Sequence, residues 1–162
     1  MGNINREMAQ RVWQRVQTAQ PEVPTLPIQP AQQLQGWILE EWQTAQRYIA
    51  LQRQLPNYSQ ELKKLLAQKQ SQIACLKGIY RMVAGSAAKV AGVAPGQEQV
   101  NVVMRKCYGS LMRCLAQYEA ASRDPEYGSV YARLAEQNRN HCQNILTLLG
   151  SMKKKKKKID AY

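Results

Sequence analysis

Four stretches of this chain carry core-facing residues at alternating intervals of three and four. That spacing lines them up on one stripe of a helix and lets several such helices pack side by side at shallow angles. The first stripe is Leu34, Ile38, Glu41, Ala45 and Tyr48. The second is Leu62, Leu65, Lys69, Gln72, Leu76, Ile79 and Val83. The third is Val100, Met104, Cys107, Leu111, Cys114 and Tyr118, and the fourth is Tyr127, Tyr131, Leu134, Asn138, His141, Ile145 and Leu148. The every-second-residue alternation that a half-buried strand needs is missing. The expected fold class is all-α, a four-helix bundle.

Breakers between the stripes set the organisation. Residues 1–20 hold Met8, Val12, Trp13 and Val16 at helical spacing and read as an amphipathic N-terminal helix. Residues 21–30, PEVPTLPIQP, read as an extended linker, because proline fixes φ and lacks the N–H that a helix interior uses. The bundle then occupies residues 31–150. Its first helix runs from Ala31 to about Leu55, where Pro56 and Asn57 break it. Ser59 can cap the second, which runs to about Ala84. GSAAKVAGVAPG is a small-residue loop, and a third helix follows from about Gln97 to Ser122. RDPEYG supplies Asp124 as an N-cap with Pro125 at the first helical position, and the fourth helix runs to Leu149 with Gly150 as its stop. Residues 151–162 form a lysine-rich tail.

The joints are short, long and short. Short joints make antiparallel neighbours, and the long one can cross the bundle. A weak internal repeat agrees with two related hairpins. Displaced by 69 positions, Pro125 falls on Pro56, Leu134 on Leu65, Ile145 on Leu76 and Leu148 on Ile79.

Apolar residues make up 44% of the 162, enough for one core without disulfides or a structural metal. Cys75, Cys107, Cys114 and Cys142 form no CxxC pair. Cys107 and Cys114 sit two helical turns apart, roughly 10 Å and too far to bridge. The opening residues lack a secretory pattern and no apolar run reaches a membrane span, so the expected location is cytoplasmic, with free, buried thiols. The net charge is +12, half of it in Lys153, Lys154, Lys155, Lys156, Lys157 and Lys158. That run reads as a solvated tail. Its functional alternative is salt-dependent, nonspecific contact with nucleic acid or an anionic membrane. Trp37 and Trp42 flank the first stripe, where such residues ordinarily pack against a neighbouring helix or the docked N-terminal helix and could instead form part of a dimer face; with Trp13 and Val16 also seeking cover the expected state is a homodimer.

The stripes have few polar exceptions: Glu41, Lys69, Gln72, Asn138 and His141, all at mid-helix and at matching heights. Long periodic helices are the safest readings of a sequence, so these side chains are expected to point inward and to meet.

EEWQTAQRYIALQRQLP, LAQKQSQIACLKGIY, YGSLMRCLAQYEAAS and YARLAEQNRNHCQNILTLL resemble, in order, the four helices of the ferritin-like superfamily, and within it the rubrerythrin-like proteins. The resemblance covers about residues 31–149. It implies a bundle with one long crossover and a di-metal centre held by a Glu on the first and third helices and Glu-x-x-His on the second and fourth. Carried across, the positions are Glu41, Lys69 with Gln72, Leu111, and Asn138 with His141. Only Glu41 and His141 remain as good ligands. One carboxylate cannot balance two metal ions, and a lysine ammonium points into the same space. The expectation is a bundle without cofactor, in which Lys69 stands in for the metal beside Glu41 and Gln72, Asn138 and His141 complete the network. The role this implies is structural or interactive, and non-catalytic. The alternative is a mononuclear iron or zinc site on Glu41 and His141, with Cys114 as a further ligand, in an oxidoreductase of the same class. His141 is the only histidine, and Glu136 lies five residues from it and faces away from the core.

Overall fold

The computed structural model describes residues 7–11, 29–93 and 96–161. All regular structure among them is helical: α1 (Ala31–Gln54), a 3-10 turn (Pro56–Tyr58), α2 (Ser59–Ala84), α3 (Val100–Ala121) and α4 (Gly128–Asp160). Residues 7–11 are helical too. Val12, Trp13, Val16 and nearly all of the proline-rich stretch lie outside the described residues.

Hydrogen bonds give the direction of each helix. Between α1 and α3, Gln33 pairs with Gln117, the Arg113 guanidinium with Glu40, Arg47 with Ser110, and Gln54 with the Glu98 carbonyl, so the two run antiparallel. Between α2 and α4, Gln68 pairs with His141 and Gln72 with Gln137, again antiparallel. Each hairpin is antiparallel as well, which makes the order up, down, down, up. The crossover between α2 and α3 starts at Gly85, in the left-handed conformation (φ 74°) that closes a helix. It then climbs the outer side of α1. The Lys89 carbonyl accepts from the Gln35 amide, and Gly92 lies so close on Trp42 that any Cβ there would overlap the indole ring.

All four stripes turn inward. They form two apolar clusters, one around Leu34, Ile38, Leu76, Tyr118 and Leu134, the other around Leu51, Leu62, Met104, Leu111 and Ile145. Trp37 is 2% exposed, edge-on to Tyr118 and Tyr131 at 5.0 and 5.4 Å, and donates its indole N–H to Gln117. It is therefore a core residue and offers no dimer face, and Trp42 is half covered by the crossover. The oligomeric reading loses that support.

Four boundaries differ from the sequence reading. α3 begins at Val100, after an extended Gln99, not at Gln97. Ser59 makes no capping bond, because a 3-10 turn already leads into α2. α4 begins at Gly128, not Pro125. The Asp124 carboxylate accepts the Glu126 and Tyr127 N–H groups, both at 2.9 Å, and holds a turn ahead of the helix. Gly150 does not stop α4, which continues through the lysine run to Asp160. Met152 packs against the second apolar cluster beyond it, lysine is a good helix former, and cations are favoured at a helix C-terminus. The lysine run is thus an exposed helix.

Candidate functional site

Between the two apolar clusters lies a layer of buried polar side chains. Glu41 comes from α1, Lys69 and Gln72 from α2, and Asn138 and His141 from α4, each at most 2% exposed. They share a height because each occupies the middle of a stripe of similar length, and antiparallel packing brings those middles together.

Lys69 is the centre. Its ammonium has three protons, and three oxygens surround it: a Glu41 carboxylate oxygen, Gln72 Oε1 at 2.6 Å and Asn138 Oδ1 at 2.9 Å. Every donor is used. The Asn138 amide turns its N–H towards the second Glu41 oxygen at 3.4 Å, and the Gln72 amide donates to Gln137 at 3.0 Å. Stripping water from two ions costs several kcal/mol each, and this geometry offsets it with one opposite charge and a full set of acceptors. Lys69 and Asn138 stand 69 positions apart, so the repeat brings equivalent positions of the two hairpins into direct contact.

His141 is a correction. It bonds to none of the other four residues of the expected network. Its Nδ1 accepts from the Tyr48 hydroxyl at 2.9 Å, and its Nε2–H donates to Gln68 Oε1 at 2.9 Å, a tautomer assigned from those partners. Burial, and after it the charge on Lys69, lower its pKa from 6.5 to about 3, so the ring stays neutral. Burial foremost, helped by the neighbouring Cys107, Glu41 and Cys142, holds the Tyr48 hydroxyl well above its ordinary value and keeps it a donor. Tyr48 and Gln68 were missed as site residues. An aromatic on an inward stripe reads as packing, and Gln68 sits one position off its stripe. The signal for both was the histidine, which needs two partners when buried.

The donor set does not fit a metal. Glu41 is engaged by Lys69 and Asn138, both His141 nitrogens are occupied, and Leu111, the α3 position that the resemblance equates with a ligand, lies within the second apolar cluster. An ammonium at the centre would repel any cation. Among the described residues no three His, Cys, Asp or Glu side chains converge. Cys114 lies close to Glu41, and burial, with Glu41 next, raises its pKa far above the ordinary thiol value. Cys107 is pushed up to about 12 by burial and Cys142 is raised for the same reason. Such thiols stay protonated at neutral pH and are poor nucleophiles. Cys75 is only partly buried, against the expectation for four interior thiols. Glu136 is exposed and pairs with Arg139, away from the layer.

Compared with family models, curated proteins and solved structures, the chain matches none of them. Among the described residues no helix is long and apolar enough to cross a membrane.

Proposed function

We propose that this chain is a ferritin-like bundle, of the rubrerythrin-like kind, in which an internal ion pair has replaced the di-metal centre, and that it serves a non-catalytic, structural or interaction role in the cytoplasm. One observation carries the reading: the Lys69 ammonium occupies the middle of the bundle with all three protons on oxygens of Glu41, Gln72 and Asn138. The up-down-down-up order with one long crossover is the arrangement that family uses. Four of its six ligand positions hold Lys69, Gln72, Leu111 and Asn138, and the replacement at Lys69 supplies a positive charge where a metal would have supplied one. Free thiols accord with a reducing compartment.

The test is metal content. Tag-free protein expressed in iron-, manganese- and zinc-supplemented medium should carry less than about a tenth of an ion per chain by mass spectrometry, since metal affinity requires deprotonated, available ligands. One ion per chain, lost in His141→Ala, would establish the mononuclear reading instead. Two ions per chain would overturn the assignment of the layer.

A further inference from the structure

α4 has 33 residues against 24, 26 and 22 in α1, α2 and α3, so its C-terminal turns project past the end of the bundle where α3 begins. That end collects positive charge. Lys153 and Lys156 line a groove of about 480 Å³ with Arg105 across from them on α3. Arg105 also lines a second groove, of about 390 Å³, with Arg47, Lys106 and Arg113. Arg105 is thus common to both, with one groove between α3 and α4 and the other on the α1–α3 face. The remaining lysines, 154, 155, 157 and 158, line a third groove beside Tyr58 on the opposite flank of α4. Glu98 and Glu40 pair with Lys106 and Arg113, at 2.7 and 2.9 Å. Among the described residues Arg105 and the six lysines carry no ion pair.

We propose that this end of the molecule is a docking surface for the phosphate backbones of a B-form DNA duplex. The charge complementarity is to a polyanion, and the arrangement of the charges selects the kind. Successive residues of a helix are about 100° apart, so six consecutive lysines point in every direction around α4. On a flat anionic membrane only about half of them could reach headgroups, and the run interrupts any apolar face that could enter the acyl region. Between two phosphate backbones both flanks are used. A helix about 10–12 Å across matches a major groove about 12 Å wide, whereas the A-form groove is too narrow. Among the described residues no row of exposed aromatics offers the stacking platform that single strands favour. Lysines on phosphates read no sequence, so recognition is of duplex shape and charge.

The experiment is fluorescence anisotropy of the full chain with a labelled DNA duplex of about 20 base pairs, across a salt series. The unmodified protein should bind with an affinity that falls steeply as salt rises. Arg105→Gln/Lys153→Gln/Lys156→Gln should weaken binding by about tenfold or more and make the salt slope shallower by about two to three units. Lys77→Gln/Arg81→Gln/Arg133→Gln removes as many exposed charges at the other end of the bundle and should change affinity by less than about threefold, screening being effective over that distance. Equal losses in the two triple variants would overturn the proposal, leaving only an effect of net charge. So would equal affinity for a single strand of the same length, or binding to anionic vesicles without binding to duplex. The metal test of the core is independent of all these outcomes.

Discussion

Lys69 is the residue on which the core turns, and its energetics are coupled to those of Glu41. Lys69→Met removes the cation and leaves a buried carboxylate without a counter-charge. Breaking a buried pair in this way costs about 3–5 kcal/mol, so the variant should lose at least about 3 kcal/mol in urea unfolding. Lys69→Met/Glu41→Leu removes both charges and should recover most of that loss, because apolar replacements of a buried pair are often neutral. A double variant less stable than the single one would show that the pair is not the relevant unit. His141 makes a second prediction, with a defined sign. Its folded pKa, about 3, lies below the unfolded value near 6.5, so folding favours the neutral ring. The stability this contributes is complete above about pH 6.5 and is lost progressively as the pH falls towards about 3. Below about pH 6.5 unfolding free energy should therefore drop more steeply in the unmodified protein than in His141→Gln, and parallel curves would contradict this. Asp124 adds its own loss at lower pH. Burial opposes its ionisation, but the backbone N–H groups of Tyr127, Glu126 and Gln29 outweigh it and hold the pKa below 3.8.

At the scale of elements, the helix interiors were legible in the sequence and the helix ends were not. A stripe of five to seven inward residues is a sum of many burial terms, and no single side chain can cancel it. An end is decided by one or two residues, whose local preference competes with tertiary contacts. Gly150 is the clear case. Its composition signal is a helix stop, yet Leu149 and Met152 on either side pack against the second apolar cluster and carry α4 onward. A Cβ at position 150 would meet nothing within 4 Å. Gly150→Ala should therefore stabilise the protein by about 0.5–1 kcal/mol and raise its helicity by circular dichroism, since glycine in a helix interior costs that much. No gain in either would mean that the lysine turns are not helical in solution. Asp124 shows the opposite balance. Its carboxylate accepts backbone N–H groups as a cap would, but those of Glu126 and Tyr127 in the turn before α4, whose N-cap is Tyr127.

At the scale of the whole molecule, the pseudo-symmetric pairing of two hairpins sets what the middle of the bundle can hold. The layer lies between two apolar clusters and draws its side chains from α1, α2 and α4, so its contents are decided by charge balance and by hydrogen-bond satisfaction. Restoring carboxylates and histidine, as Lys69→Glu, Gln72→His, Leu111→Glu and Asn138→Glu together, should give a chain that binds metal. Its metal-free form should be several kcal/mol less stable than the present one, because like charges would then face one another without a cation. Mass spectrometry and urea unfolding with and without added iron read both outcomes. A quadruple variant that is stable without metal and binds none would remove the argument that Lys69 replaces a metal charge.

By itself the sequence determined the helices, their inward faces and the identity of the central polar residues Glu41, Lys69, Gln72 and Asn138, because periodicity of burial is written one residue at a time. Only the tertiary structure decided which of those residues touch. It gave His141 to Tyr48 and Gln68, withdrew Trp37 into the core, and laid the crossover on Trp42. It also carried the lysines out along α4, with Lys153 and Lys156 facing Arg105. Those partnerships join side chains on different helices, and their distances follow from how the helices slide and rotate against one another, which no spacing within a single helix encodes.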